Sequence, residues 1–466
     1  MRAFLLVVTA AAVALLVSQL ARRPFRSAEA LPAGTQNLEQ PGPLRIRVGG
    51  RERMVQLDAL LRYGATAENI LCRPQDGTTP DDWRRVACGG KAEQDEDDAQ
   101  SRGDAAMLEA ASILRQAEKR PLAERERLVR DANGFVLLAL RSDAFETRPV
   151  PPVHVYEDLA DQSDDGRLHD IASELWLVTA AFCPDGERQC RLSNLRQSGR
   201  SLVNAGRWFN DTVRLRLAAE RLREVLREQG NDIDPDERFS LANDIGNAFS
   251  YASAFAPAGE RLPLIDQAIA AYEAELAQAE AKAPSFDSGR LWQNVGAAYF
   301  DRGAISNSKK DFERGIAFYE KSLPLFDRSR FRQSWARAKS NLGAARSRMA
   351  LAENDLALHD AALRDQEDSI AAFEEGQEKL DADYGRYRLA KSLDAKARSA
   401  DALARQLGDG EEGRRADLEK TARLCRAEAL KLLERAGEAF RRSGSRDYLA
   451  WVERLTTEIR SATPGP

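Results

Sequence analysis

The sequence predicts an all-α array of stacked helical hairpins, preceded by an N-terminal membrane segment and a small α+β module. Three observations carry that prediction. A Gly-centred box recurs as DIGNAF at 244–249, NVGAAY at 294–299 and NLGAAR at 341–346. A second box follows each: AIAAYEAEL at 268–276, GIAFYEKSL at 315–323 and SIAAFEEGQ at 369–377. The glycines lie 50 and 47 residues apart and the second boxes 47 and 54 apart, so the two series advance nearly in step. Such a period marks helix pairs that cannot bury their apolar faces without a neighbour.

The elements follow in order. Residues 3–21 carry no charge and read FLLVVTAAAVALLV before Ser18 and Gln19. At about 1.5 Å per helical residue that run spans a bilayer core. The nearest small-residue cleavage pair, Ala28 and Ala30, lies beyond Arg22, Arg23 and Arg26. Residues 1–23 therefore read as a signal anchor rather than a removed signal peptide. Residues 24–43 are a tether without apolar period. LRIRV, a Gly-Gly turn and RERMVQL then predict a hairpin at 44–57. It opens a small module at 44–90 that holds Cys72 and Cys88. Residues 91–104 form an acidic linker. A mixed connecting region at 105–166 turns extended at GFVLLAL and exposed at RPVPPVHVYED, where proline opposes helix.

Helices dominate from 167 to 466. LHDIASELWLVTAAF at 168–182 is apolar enough to be buried, and WFNDTVRLRLAAERLREVLREQG at 208–230 has one apolar face. The three box-bearing pairs follow. Residues 386–407 and 415–443 form a fourth, eroded pair with Leu393 and Asp394 at the box, and 448–460 caps the array.

Two features set the compartment, and they disagree. The arginines after the apolar run favour a cytoplasmic body. Cys183 and Cys190 close the turn-rich loop CPDGERQC, and Cys72 and Cys88 close another, as disulfides in an oxidising compartment do. The cysteines weigh more. The expectation is a bacterial inner-membrane protein with a periplasm-facing body, or a periplasmic one if the segment is cleaved. Cys425 sits in a helical run as a small apolar residue.

Within the first boxes an apolar residue, Ala and an aromatic share one helical face: Ile245, Ala248 and Phe249, then Val295, Ala298 and Tyr299. The third copy keeps Leu342 and Ala345 but carries Arg346. In the second boxes Ile269, Tyr272 and Leu276 recur as Ile316, Tyr319 and Leu323. Gly246, Gly296 and Gly343 each cost about 1 kcal/mol in a helix relative to Ala, so their recurrence predicts close approach of the partner helix.

These boxes resemble tetratricopeptide repeats. Trp292, Val295, Gly296 and Tyr299 fit that family's first helix, and Gly315, Tyr319 and Ser322 its second, over residues 239–378. The copies take about 50 residues where the family repeats every 34, the excess lying in longer helices and connections such as 301–315. The resemblance implies a concave groove of first helices that binds a protein or peptide. Projected onto this chain, its positions are Asn243, Asp244 and Asn247, then Gln293, Asn294 and Asp301, then Arg337, Asn341 and Arg348. Asn247, Asn294 and Arg337 match part of a set that grips a terminal carboxylate, while Asn243 and Asn341 stand where cations are expected. On this reading, replacing Asn294 and Arg337 together weakens partner capture without unfolding the chain.

A net charge of -5 over 466 residues offers no broad basic field, which excludes a nucleic-acid partner. His154, His169 and His359 lie in separate contexts, and no GxSxG elbow, P-loop or GxGxxG occurs. No metal, cofactor or catalytic residue is expected. The sequence-level conclusion is a membrane-tethered or exported scaffold for protein–protein interaction. A sensor subunit is one alternative. The other is an envelope hydrolase or transglycosylase, which would require a deep cleft holding a desolvated Glu or Asp.

Overall fold

The first boxes fall inside helices and the second boxes in or at the ends of the helices that alternate with them, Leu323, Gly376 and Gln377 running past the helix ends. The computed structural model describes residues 44–48, 51–55, 57–63, 96–118, 120–141, 152–163, 165–184, 186–230, 233–281, 285–443 and 445–462. The expected membrane segment, the tether and the loop of Cys72 and Cys88 lie outside them. Among the described helices none is long and apolar enough to cross a membrane. The chain divides into two compact units at Ile233 and Asp234. The helices at 166–229, expected to belong with the repeats, group instead with the preceding segments.

In the first unit, β1 (Leu44–Val48) and β2 (Arg51–Val55) pair antiparallel, with Leu44 opposite Val55 and Val48 opposite Arg51. They are followed by α1 (Asp58–Tyr63), α2 (Glu96–Ala117), α3 (Leu122–Arg141), α4 (Pro152–Ser163), α5 (Gly166–Ala181), α6 (Arg188–Phe209) and α7 (Thr212–Gln229). Three local expectations are corrected here. The acidic linker turns helical at Glu96. GFVLLAL is helical within α3, with Phe135, Val136, Ala139 and Leu140 buried, because a short run apolar on all sides looks the same for a strand and a buried helix. The proline-rich connector becomes α4 at Pro152, since proline at a first helical position loses no intrahelical bond.

Leu114, Phe135, Tyr156, Ile171 and Leu175 form part of one core shared by α2 to α5. The Glu174 carboxylate accepts the N–H groups of Ala59 at 2.7 Å and Leu60 at 3.0 Å, which fastens α1 to α5. Added β-carbons at Gly199 and Gly206 on α6 would meet Leu222 at 2.7 Å and Leu215 at 2.8 Å on α7. A disulfide joins Cys183 to Cys190, closing the turn between α5 and α6 as expected.

The second unit is a helical-hairpin solenoid. Its pairs are α8 (Pro235–Phe255) with α9 (Ala258–Ala281), α10 (Phe286–Ser306) with α11 (Lys309–Ser322), α12 (Arg332–Glu353) with α13 (Leu356–Glu375), and α14 (Lys379–Gln406) with α15 (Glu412–Ser443). Within each pair the helices pack on one another, each second helix meets the next first helix, and first helices touch in succession. Polar punctuation sets the boundaries. Asp234, Ser285, Ser308 and Asp355 cap helix N-termini through their side chains, while Asn307 and Asn354 end helices in the left-handed region at φ 54° and 55°. The last helix, α16 (Arg446–Ser461), lays Val452, Leu455 and Ile459 against Leu433 and Phe440 of α15.

The box glycines sit at the contact within each hairpin. A β-carbon on Gly246 would lie 2.2 Å from the Tyr272 ring. On Gly296 it would lie 3.0 Å from the carbonyl of Gly315 and from Tyr319. On Gly343 it would meet the Ala362 carbonyl at 2.8 Å and Gln366 at 2.7 Å. Ala362 and Gln366 therefore stand where Gly315 and Tyr319 stand one hairpin earlier, each 47 residues on. The third second box is shifted by seven residues from SIAAFEEGQ, where Phe373 had been matched to Tyr319. Two turns of helix bring nearly the same face round again, so the pattern alone permitted the slip.

Candidate functional site

All nine projected groove residues fall on first helices: Asn243, Asp244 and Asn247 on α8, Gln293, Asn294 and Asp301 on α10, Arg337, Asn341 and Arg348 on α12. They divide into two groups. Asn243, Asn247, Gln293, Asn294, Arg337 and Asn341 are buried. The Asn294 Nδ2 donates to Asn243 Oδ1 at 3.0 Å, and the Arg388 Nη1 donates to Asn341 Oδ1 at 3.1 Å. These bonds link α8 to α10 and α12 to α14, a polar ladder between successive first helices. Asn247 accepts a bond from the Tyr272 hydroxyl at 2.8 Å, and Arg337 lies 3.8 Å from Asp381 on α14. A ligand reaching Asn243, Asn247, Asn294, Arg337 or Asn341 would have to break contacts that join neighbouring helices.

The other three stay in reach of water: Asp244 and Asp301 are half-buried and Arg348 is exposed. Asp301 and Arg348 each follow a ladder asparagine, Asn294 and Asn341, by seven residues. Two helical turns therefore carry the same stripe from the closed seam to an open surface. The 47-residue spacing from Asn341 to Arg388, equal to that from Asn294 to Asn341, also extends the repeat into α14 and aligns Ala390 rather than Asp394 with Gly343.

Asp301 occupies an uncommon setting. Protein mass surrounds its carboxyl group and pushes its pKa up to about 8. Among the described residues it makes no hydrogen bond and no ion pair. Burial raises the phenols of Tyr272 on α9 and Tyr319 on α11, and the charge of Asp301 adds to both shifts. Asp244 acts in the same sense on Tyr272, whereas Arg388 opposes on Tyr319. The two phenols are equivalent by repeat, but their partners differ. Tyr272 bonds Asn247, one residue past the box glycine, and the matching residue beside Gly296 is Ala297. The Tyr319 hydroxyl thus has no protein acceptor among the described residues, although the side chain is 2% exposed. Only a comparison of both helices of two repeats could have exposed this difference in the sequence.

Other chemistry-bearing groups are enclosed. His359 Nε2 lies 3.0 Å from Ser399 Oγ, but both residues are fully buried, and burial with the charge of Lys396 pushes the imidazole down to about 4. The His359 Nδ1 meets no orienting carboxylate, so the pair lacks both substrate access and a third member. His169 is likewise pushed down to about 4 by burial and by Arg207. Among the described residues no cluster of His, Cys, Asp and Glu could hold a metal ion. Cys425 is buried, and burial pushes its thiol up, the opposite of a reactive cysteine.

No family model matches the sequence, and no curated protein matches it either. Among solved structures the chain is similar to a circular tandem repeat protein with novel repeat topology and enhanced subunit contact surfaces. The identity is 12%, the alignment covers 78% of this chain and 85% of that one, and the TM-score is 0.26.

Proposed function

We propose that this chain is a tetratricopeptide-like scaffold that binds a protein or peptide along the first helices of its second unit. We place it in the bacterial envelope, tethered or exported through its N-terminal apolar run and facing the periplasm. One observation carries the binding reading: beyond the asparagine ladder the stripe leaves the closed seam on successive first helices, with Asp301 half-buried and Arg348 exposed. Repeat arrays present such rows of side chains on rigid helices, which suits an extended partner. The bond between Cys183 and Cys190 supports an oxidising compartment. Affinity capture from envelope fractions tests the reading with the full chain as bait. A reproducible protein partner, lost when Asp301 and Arg348 are both replaced by Ala, is the expected result. Capture indifferent to that pair would remove the open stripe as the binding surface.

A second reading draws on the same carboxyl. A hydrolase or transglycosylase of envelope polymer needs a general acid that keeps its proton near neutral pH, and Asp301 at about 8 meets that need. It would also need a second carboxylate across the substrate. Asp244 of the preceding hairpin is one candidate, since its charge, like that of Asp301, acts on Tyr272. Turnover of purified envelope glycan, abolished in Asp301→Asn, would favour this reading over a scaffold.

A further inference from the structure

We infer that a cavity of the first unit, walled by α1, α3 and α5, binds a small phosphomonoester, its arginines taking the phosphate dianion and its apolar side a short organic substituent. The cavity measures about 190 Å³ and shares no residue with the projected groove. Its walls follow from helical spacing. On α3, Arg125 and Val129 lie four residues apart, as do Glu126 and Arg130 one residue later, so two adjoining stripes of that helix face the cavity. On α5, Arg167 and Ile171 repeat the spacing, beside Leu168 and the capping Asp165. The last turn of α1 adds Arg62 and Tyr63. The Asn133 Nδ2 on α3 donates to the Tyr63 carbonyl at 2.9 Å, which fixes that end of α1 against the other walls.

The ligand class follows from the charges. Four guanidinium groups and two carboxylates line the cavity. Arg167 takes up both carboxylates: its Nε donates to Asp165 Oδ1 at 3.0 Å, and its Nη1 and Nη2 donate to Glu126 Oε1 at 3.1 Å. Arg125 is held by main chain instead. Its Nε donates to the Ala117 carbonyl and its Nη2 to the Arg120 carbonyl, both at 3.3 Å, which orients the group and engages two of its five N–H donors. Arg62 and Arg130 are exposed and form no ion pair among the described residues. The lining therefore carries two positive charges in excess, and that field repels a metal ion or an ammonium group. A phosphomonoester at neutral pH bears nearly two negative charges and three acceptor oxygens, and guanidinium forks grip such oxygens in pairs. A carboxylate offers one charge and two oxygens. Val129, Leu168 and Ile171 form the apolar side. The volume lies below the roughly 300–1,000 Å³ of sites for drug-sized ligands, so the substituent is a single ring or a short chain.

The test is calorimetric titration of the full chain with phenyl phosphate at neutral pH and low salt, beside inorganic phosphate, benzoate and phenol. Wild type is compared with Arg130→Gln and with the double variant Arg62→Gln, Arg130→Gln. Arg414→Gln, at an exposed position on α15 of the second unit, makes the same change of charge elsewhere. Thermal melts confirm that each variant is folded. Expected is saturable binding of phenyl phosphate, tighter than that of the other three probes. Its affinity should fall about tenfold in Arg130→Gln, the loss of one charge-assisted hydrogen bond, and further in the double variant. Arg414→Gln should bind as wild type does. No binding of phenyl phosphate by the wild type would overturn the inference. So would an equal hold on inorganic phosphate or benzoate, or a loss in Arg414→Gln as large as that in Arg130→Gln. Each of these outcomes leaves the scaffold reading of the second unit in place.

Discussion

At the scale of single residues, the box glycines show how a local penalty reports a distant contact. Gly246→Ala would improve helix propensity by about 1 kcal/mol. The added carbon would enter the Tyr272 ring and disturb its bond to Asn247, and overpacking of this kind costs about 1–3 kcal/mol. The expected net effect is a lower urea midpoint, whereas a higher one would show that the contact yields. Asn294 and Arg337 carry a different lesson. Their burial makes the double Ala variant a stability mutant, with the Asn243 amide oxygen left unpaired at about 1–3 kcal/mol. A clear drop in melting temperature is expected, contrary to the sequence-level expectation of weakened capture in a stable protein. Asp301 has a signed pH dependence. Its pKa stands near 8 in the folded chain against an ordinary 3.8, so the folded state holds the proton more tightly. Its favourable contribution is full below about pH 4 and is lost as pH rises toward 8. Asp301→Asn should flatten that fall, and urea midpoints of both proteins at pH 5, 6.5 and 8 would measure it. A constant difference between them would refute the shift.

At the scale of elements, boundaries were legible where a side chain performs the capping. Asp355 accepts the N–H of Leu358 at 3.0 Å at the start of α13, and Asn354 turns the preceding helix off in the left-handed region. Asp355→Ala should cost about 0.5–2 kcal/mol, seen as faster amide exchange in the first turn of α13. Unchanged exchange there would mean that packing alone fixes the boundary. The errors at this scale have different causes. Burial of Phe135, Val136, Ala139 and Leu140 makes GFVLLAL helical, whereas Pro152 is accommodated because it opens α4, where no intrahelical bond is lost. The seven-residue slip in the third second box arose because a heptad shift preserves the pattern. Only the carbonyl of Ala362 against Gly343 fixes the register.

At the scale of the whole molecule, a stacked array holds its stability in nearest-neighbour interfaces rather than in one centre. Trimming the chain after Ser443 removes α16 and uncovers Leu433 and Phe440. Amide protection should then fall in α15 and α14 and persist in α8 and α9 of the same unit. Uniform loss across all four hairpins would instead indicate a single cooperative core.

The sequence by itself determined the repeating hairpins, the close contact at the box glycines and the cysteine pair at 183 and 190, because each depends on residues a fixed number of turns apart. Which polar residues of the first helices are shut into a seam and which meet water was decided by tertiary structure alone. Neighbouring stripes on a helix differ by one residue in sequence, and the packing of adjacent first helices settles which stripe is covered. Asn294 and Asp301 share a stripe, yet one is buried and links two helices while the other, two turns on, is half-buried with no described partner.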